Sequence, residues 1–126
     1  FVSTHADPDT DYPFFWGRSD EAGEGEGEGA TLNLPLPRGT ALQEYEPALD
    51  RACDAVARFG ADLLLVCFGA DTWEGDPISC FRLKTGDYPR LAARIARLGL
   101  PTLVVMEGGY ATDALGANVA AFLSGF

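Results

Sequence analysis

The sequence predicts an α/β fold with a mainly parallel sheet, and three features of its second half support this. Residues 63–68 are uniformly apolar, without the polar alternation of a half-exposed strand, which is typical of a central strand covered on both faces. Thr102–Met106 repeats this pattern. A right-handed βαβ crossover would bring the ends of both strands to one edge of the sheet. The helix of this unit is predicted by apolar residues at helical spacing: Tyr88, Leu91, Ile95 and Leu98.

Two further helices are predicted from apolar stripes. In Leu42–Phe59 we expect Thr40 to act as the N-cap and Gly60 to end the helix. Thr112–Leu123 is expected to form a closing helix with Thr112 at its head. The stripe of the first helix comprises Tyr45, Leu49, Ala52, Cys53, Val56 and Phe59, and that of the second comprises Leu115, Val119, Phe122 and Leu123.

The N-terminal third is less regular. Residues 1–4 and 30–34 have the composition of strands. Between them, residues 12–16 contain four aromatic side chains and a proline, which predicts a hydrophobic plug over the core. Residues 19–29 alternate glycine with glutamate, which predicts a flexible surface connection and argues against a nucleotide site. We interpret His5, the only histidine, as a polar loop residue.

Composition limits the functional classes. The chain has 126 residues, enough for one domain, and 47% hydrophobic content, and no apolar run approaches the roughly 20 residues of a membrane helix. A net charge of −10 argues against nucleic acid as a partner and fits a polyamine or a basic peptide, although acidic surfaces also serve solubility. Cys53, Cys67 and Cys80 lack Cys-x-x-Cys spacing. We expect Cys53 and Cys67 on buried faces and reduced thiols in the cytoplasm.

The residues best suited to chemistry follow the two strands. Asp71, Glu74 and Asp76 lie beyond the first strand, where open α/β sheets bind ligands. They are interpreted as caps of turns and of the next helix, as metal ligands, or as a glycosidase-type acid pair with Trp73 as a sugar platform. Tyr110 follows a glycine pair that can adopt positive φ, and it is a candidate for the same site as Asp71. The alternative is a half-buried structural tyrosine whose hydroxyl is bonded to the backbone.

Several motifs together resemble the zinc-dependent histone deacetylase superfamily, most closely its bacterial acetylpolyamine amidohydrolases. They are GADTWEGDP at 69–77, EGGY at 107–110, STHADP at 3–8, YPFFWG at 12–17 and LNLPLP at 32–37. The resemblance implies the C-terminal part of an arginase/deacetylase-like three-layer fold. Members of that family are much longer, with paired histidines and an Asp-x-His motif upstream of the matching segment. We therefore expect residues 1–126 to be the C-terminal portion of one catalytic domain, without its N-terminal half.

The resemblance also implies roles for individual residues. Asp71 matches a zinc ligand that acts with an Asp and a His from the other half, and zinc hydrolases keep one position open for water. Tyr110 matches the tyrosine that hydrogen-bonds the amide oxygen as it becomes an oxyanion. Ser3 and Thr4 match a position near a structural monovalent-cation site, which suggests potassium. Glu107 stands where many eukaryotic members carry glycine. The implied substrate contacts are Tyr12, Phe14, Phe15, Ile78, Gly108 and Gly109.

The implied activity is hydrolysis of an acetyl or other acyl group from an amine such as an acetylpolyamine or acetyl-lysine, with zinc as cofactor. The chain by itself is expected to be inactive, as a truncation or a split gene product. An alternative is a non-catalytic α/β module that binds a partner through exposed apolar surface. A strand edge and an apolar face without their neighbours would also favour self-association, including a homo-oligomer. Neither nucleic acid nor a membrane is expected as a partner.

Overall fold

The structure is a computed structural model that describes all residues 1–126. The strands are β1 (Val2–Ala6), β2 (Leu32–Leu36), β3 (Leu64–Phe68) and β4 (Thr102–Met106). The helices are α1 (Leu42–Phe59), α2 (Tyr88–Ala96) and α3 (Thr112–Leu123). No helix combines the length and apolar character that a membrane span needs.

The strands form two parallel pairs, β1 with β2 and β3 with β4. Leu64 lies opposite Thr102 and Phe68 opposite Met106, with α2 in the connection, so the predicted βαβ unit is confirmed. The prediction of a strand at residues 30–34 is two residues early. The amides of Ala30 and Thr31 are bonded to carbonyls of the preceding glycine-rich segment, so they cannot join the strand ladder.

The bounds of α1 match the prediction, but its N-terminus does not. Gly60 ends the helix in the left-handed region at φ 74°, a conformation that glycine adopts without a Cβ penalty. Thr40 is buried in the preceding turn, where its hydroxyl donates to the carbonyl of Pro37 at 2.7 Å. The N-cap position is therefore Ala41, whose amide donates to the carboxylate of Glu44. The bounds of α3 match the prediction, with Thr112 as its first residue, and its N-cap is likewise an alanine, Ala111.

Aromatic packing connects β3 to the helices. Phe68 stacks on Phe122 of α3 with ring centroids 4.0 Å apart, and it meets Tyr88 of α2 edge-on at 5.4 Å. Pairs of this kind contribute roughly 0.5–1.5 kcal/mol beyond the area that they bury. Asn118 of α3 is also buried, and its carboxamide oxygen accepts from Thr85 at 2.7 Å. This contact lay outside the predicted apolar stripe. The core therefore fixes the end of β3 against two helices.

One face of the β3–β4 pair is open, and we call it the outer face. Its side chains alternate with Val66, Phe68 and Val104, which pack in or against the core. The prediction that residues 63–68 are covered on both faces is therefore wrong for this chain, because α2 and α3 cover only the inner face. Cys67 is exposed for the same reason, whereas Cys53 is buried as predicted. The outer face consists of Leu65, Cys67, Leu103 and Val105.

Two residues of the apolar stripes predicted for the helices are exposed to solvent. Phe59 is exposed because it falls in the last turn of α1, beyond the residues that the helix packs against the sheet. Leu123, in the last turn of α3, is half exposed. Of the α1 stripe, Tyr45, Leu49, Ala52 and Cys53 are buried, so the stripe predicts the centre of the helix better than its end.

Produced by itself, this chain is expected to self-associate through the outer face, because burying apolar surface yields about 25 cal/mol per Å². Sedimentation under reducing conditions would measure this. The double variant Leu65→Lys/Leu103→Glu places opposite charges on two paired residues and is expected to shift the chain toward monomer. Ala57→Glu, on the exposed side of α1, serves as the control. A monodisperse wild-type monomer that binds no apolar dye would contradict this prediction.

Candidate functional site

The loops that follow β3 and β4 lie side by side. The strand ladder continues beyond Phe68, whose carbonyl accepts from the amide of Glu107 at 2.9 Å. One step further, the amide of Ala70 donates to the carbonyl of Gly108 at 2.7 Å. The two motif-bearing loops therefore meet at one edge of the sheet, as the βαβ topology predicts.

Asp71 stands in a 3₁₀ turn between these loops, with its carboxylate against two glycines. A Cβ added at Gly69 would lie 2.5 Å from its Oδ1, and one added at Gly108 would lie 2.2 Å from its Oδ2. Burial raises the pKa of Asp71 above its ordinary value, and the nearby charge of Asp76 raises it further. No Lys, Arg or His forms a salt bridge with it. The glycines thus leave space for a half-buried carboxylate that lacks a cation partner.

The turn that carries Asp71 is held by Tyr88, the first residue of α2. The Tyr88 hydroxyl lies 3.0 Å from Thr72 Oγ1 and donates to the carbonyl of Ala70 at 3.2 Å. Thr72 in turn donates to the carbonyl of Gly69 at 3.2 Å. Burial raises the pKa of Tyr88, so its phenol stays protonated and remains a donor. The sequence indicated Tyr88 only as a residue of the α2 stripe, and no local signal connects it with this turn.

Asp76 connects the two loops directly. It is buried, and its Oδ2 accepts from the amides of Tyr110 at 2.6 Å and Ala111 at 3.0 Å. Its Oδ1 accepts from the amide of Ile78 at 3.1 Å, an Asx-type contact that Asp before Pro favours. The interpretation of a loop acid as a helix cap thus describes Asp76, although the helix is α3 rather than the next one. Glu74, in the same loop, is exposed to solvent.

Tyr110 projects from the second loop. Its ring is 55% exposed and its hydroxyl has no hydrogen-bond partner in the chain, so the alternative of a structural tyrosine bonded to backbone is wrong. The preceding residue, Gly109, has φ 140°, and a Cβ there would lie 2.6 Å from Leu115 Cδ1. Glycine is therefore required at this position by both conformation and space.

The aromatic segment at residues 12–16 lies on the surface. The prediction of a hydrophobic plug is wrong, because its four rings are each at least half exposed and none belongs to the core. The segment is anchored instead by polar contacts: buried Asp11 pairs with Arg38, and the carbonyl of Gly17 is bonded to His5. Ile78 is also exposed. The exposed rings are Tyr12, Phe14, Phe15 and Trp16.

His5 lies within β1, so its interpretation as a loop residue is wrong. Its Nε2 is 2.8 Å from the carbonyl of Gly17, and its Nδ1 is 2.7 Å from Ser3 Oγ. Thr4 Oγ1 is 2.8 Å from the hydroxyl of Tyr45, whose pKa is raised by burial. Both candidate cation-site hydroxyls therefore already take part in side-chain hydrogen bonds.

The chain contains no group of three or more His, Cys, Asp or Glu side chains placed to hold a metal ion. All three cysteines are free, and Cys80 is partly buried. Burial raises the pKa of the Cys67 thiol, and the side chain of Glu107, which follows β4, raises it further through hydrogen bonding and charge. Where the two loops meet, the chain therefore offers the half-buried carboxylate of Asp71, which has no cation partner, and the phenol of Tyr110, which has no hydrogen-bond partner.

Comparison with known proteins identifies the family. The histone deacetylase domain matches residues 1–126. Acetylpolyamine amidohydrolase 1 of Pseudomonas aeruginosa is 50% identical over 126 residues, which is 100% of this chain and 36% of the relative. The acetylpolyamine amidohydrolase of Mycoplana ramosa is 45% identical over 99% of this chain and 37% of its own length. The chain thus spans little more than a third of these curated relatives.

Solved structures show the same fold. The crystal structure of acetylpolyamine aminohydrolase from Burkholderia pseudomallei superposes with a TM-score of 0.95 at 40% identity, over 99% of this chain and 36% of that one. A histone deacetylase homologue complexed with SAHA gives a TM-score of 0.87 at 29% identity, over 98% and 34%. The expected deacetylase-like α/β fold is confirmed. This chain belongs to the histone deacetylase domain family and is similar to its acetylpolyamine amidohydrolases.

Proposed function

We propose that residues 1–126 form the C-terminal part of a zinc-dependent amidohydrolase that removes acetyl groups from amines such as acetylpolyamines. The observation that carries the proposal is the meeting of the Asp71 and Tyr110 loops at one sheet edge, in a chain that is 45–50% identical to acetylpolyamine amidohydrolases. Since the chain spans 36% of such a relative, the remaining catalytic groups belong to the N-terminal half of a longer protein.

Asp71 fits the role of a zinc ligand. Its carboxylate is half-buried, has no cation partner in this chain and lies where the absence of side chains at Gly69 and Gly108 leaves space. A buried charge of this kind needs a counter-charge, which a metal ion supplies. Zinc, when bound, would polarise the amide carbonyl and activate water. The other ligands are proposed to come from outside these residues, because this chain contains no group of three or more His, Cys, Asp or Glu side chains placed to hold a metal ion.

Tyr110 fits the role of hydrogen-bond donor to the amide oxygen. Its hydroxyl is unpaired and its ring is accessible, so a substrate carbonyl can accept the bond. A phenol is neutral near pH 7 and still has its proton to donate as negative charge develops on that oxygen. Gly108 leaves the space beside the Asp71 carboxylate free of a side chain, whereas Gly109 provides the conformation of the backbone before Tyr110.

The substrate class is supported by charge and by exposed apolar side chains. The net charge of −10 favours a cationic amine over an anion. Tyr12, Phe14, Phe15 and Ile78 are exposed apolar groups available to line a passage for the aliphatic chain of the amine.

We extend the proposal to a potassium ion, held near Ser3 and Thr4 by backbone carbonyls of the complete protein. We also propose a cytoplasmic location, which suits the three free thiols.

The outer face favours a second candidate, a non-catalytic module that binds a protein partner. An apolar strip of Leu65, Leu103 and Val105 is the kind of surface that associates. A split gene product of this kind would be inactive alone. The candidates are separated by the protein sequence that precedes Phe1: paired histidines and an Asp-x-His motif there favour the enzyme, and their absence favours the module.

In the complete enzyme, Tyr110→Phe is expected to lower kcat by about 10²–10³-fold, because one oxyanion donor is lost. KM for an acetylated polyamine is expected to change much less, since the hydroxyl matters most as charge develops. Steady-state kinetics would measure both parameters. An unchanged kcat would remove Tyr110 from the mechanism.

Gly108→Ala in the complete enzyme is expected to weaken zinc binding about 10–100-fold, the range seen when the surroundings of a metal ligand are disturbed. The reason is that the new Cβ would occupy the position of Asp71 Oδ2. Competition with a chelator would measure zinc affinity. Gly116→Ala is the matched control, because a Cβ there meets no atom within 4 Å. Equal zinc affinity in both variants would contradict the assignment of Asp71.

The 126-residue chain alone is expected to bind no zinc tightly, because it offers one carboxylate to an ion that takes about four ligands. Metal analysis after dialysis would compare it with the complete protein, in which one zinc per chain is expected. Tight stoichiometric zinc on the short chain would show that the proposed ligand set is wrong.

A further inference from the structure

We propose that Asp76 is a positioning residue for Tyr110: its buried carboxylate holds the backbone of Tyr110 and Ala111 and thereby sets the direction in which the Tyr110 phenol projects. This inference rests on the proposed function, in which Tyr110 bonds the substrate oxygen. Asp76 itself touches no reacting atom in this proposal, and its influence passes through the loop that follows β4.

The contacts of Asp76 are all to backbone amides. Oδ2 accepts from Tyr110 N at 2.6 Å and from Ala111 N at 3.0 Å, and Oδ1 accepts from Ile78 N at 3.1 Å. The residue is 7% exposed, so water is largely excluded from these bonds. Hydrogen bonds to an ionised acceptor are roughly twice as strong as those between neutral groups. One carboxylate thus joins the loop of Asp71 to the loop of Tyr110.

The same carboxylate also accepts a hydrogen bond from one of the free backbone amides at the start of α3. The N-cap of this helix is Ala111, which has no side chain able to accept from the first free amides. Asp76 accepts from Ala111 N and carries negative charge at the positive end of the helix dipole. The direction in which the chain leaves β4 and enters α3 therefore depends on a side chain from another loop.

Tyr110 has few other restraints. The two glycines before it provide no side chains to pack, and Gly109 has φ 140°, a conformation that favours glycine. The Tyr110 hydroxyl is unpaired and its ring is more than half exposed. The carbonyl of Tyr110 accepts a hydrogen bond from the amide of Thr112. The only other hydrogen bond to the backbone of Tyr110 is the one that its amide donates to Asp76. Loss of this contact would leave the phenol free to turn away from the substrate oxygen.

The test is a double-mutant cycle in the complete enzyme, with zinc content and melting temperature measured for every variant. Asp76→Ala is expected to lower kcat for an acetylated polyamine toward that of Tyr110→Phe, a loss of about 10²–10³-fold, with a smaller change in KM. Added to Tyr110→Phe, it is expected to cost little more, because the group that it positions is already gone. Glu74→Gln, an exposed neutralisation in the same loop, is expected to keep the wild-type kcat.

Asp76→Asn provides a second variant if Asp76→Ala does not fold. Its carboxamide keeps one acceptor oxygen. The NH₂ group that replaces the other oxygen faces a backbone N–H donor and cannot accept its hydrogen bond. We expect an intermediate loss of kcat that also disappears in the Tyr110→Phe background. Losses that multiply with Tyr110→Phe, a wild-type kcat in the variants, or a loss that follows zinc content alone would each overturn the positioning role. Full activity of Tyr110→Phe by itself would instead overturn the proposed function, and the two failures are therefore distinguishable.

Discussion

The pairing of β3 with β4 is the constraint on which the rest of the site depends. Its backbone hydrogen bonds continue past both strands, from Glu107 to Phe68 and from Ala70 to Gly108. Because β3 and β4 are parallel, the segments that follow them leave the sheet at the same edge, and these two loops meet. Phe68, stacked on α3 and edge-on to α2, anchors the end of this ladder in the core. The loops therefore start from a rigid base.

Two carboxylates in the loop after β3 have opposite environments, and this difference separates their roles. Asp76 is buried and accepts from three backbone amides, an arrangement in which each bond to a charged group contributes about 1.5–3 kcal/mol. Asp71 is half-buried without a cationic partner, and burial raises its pKa. The first is a structural group that satisfies its own charge within the chain. The second has no cation partner within the chain.

The outer face of the β3–β4 pair, like Asp71, lacks a partner within the chain. Inner-face residues of β3 and β4 pack against the helices, while Leu65 and Leu103 on the opposite face meet solvent. Relatives of this chain are almost three times as long, and the family fold is shared over nearly all of these residues. The exposed apolar face, the half-buried Asp71 carboxylate without a cation partner and the unpaired Tyr110 phenol support the proposal that this chain functions together with further residues of a longer protein.

The sequence by itself determined the elements and the topology, because these depend on short-range patterns. Apolar periodicity located α1 and the βαβ unit, Gly60 marked the end of α1, and the contiguous motifs at 69–77 and 107–110 identified the family. Only the tertiary structure decided which side chains hold the site. Asp76 meets Tyr110 across 34 residues and Tyr88 meets Ala70 across 18, and no periodicity encodes such contacts. His5 in β1, the exposed ring segment and the open outer face were missed for the same reason: burial depends on which elements pack together, and that is settled only when the whole chain has folded.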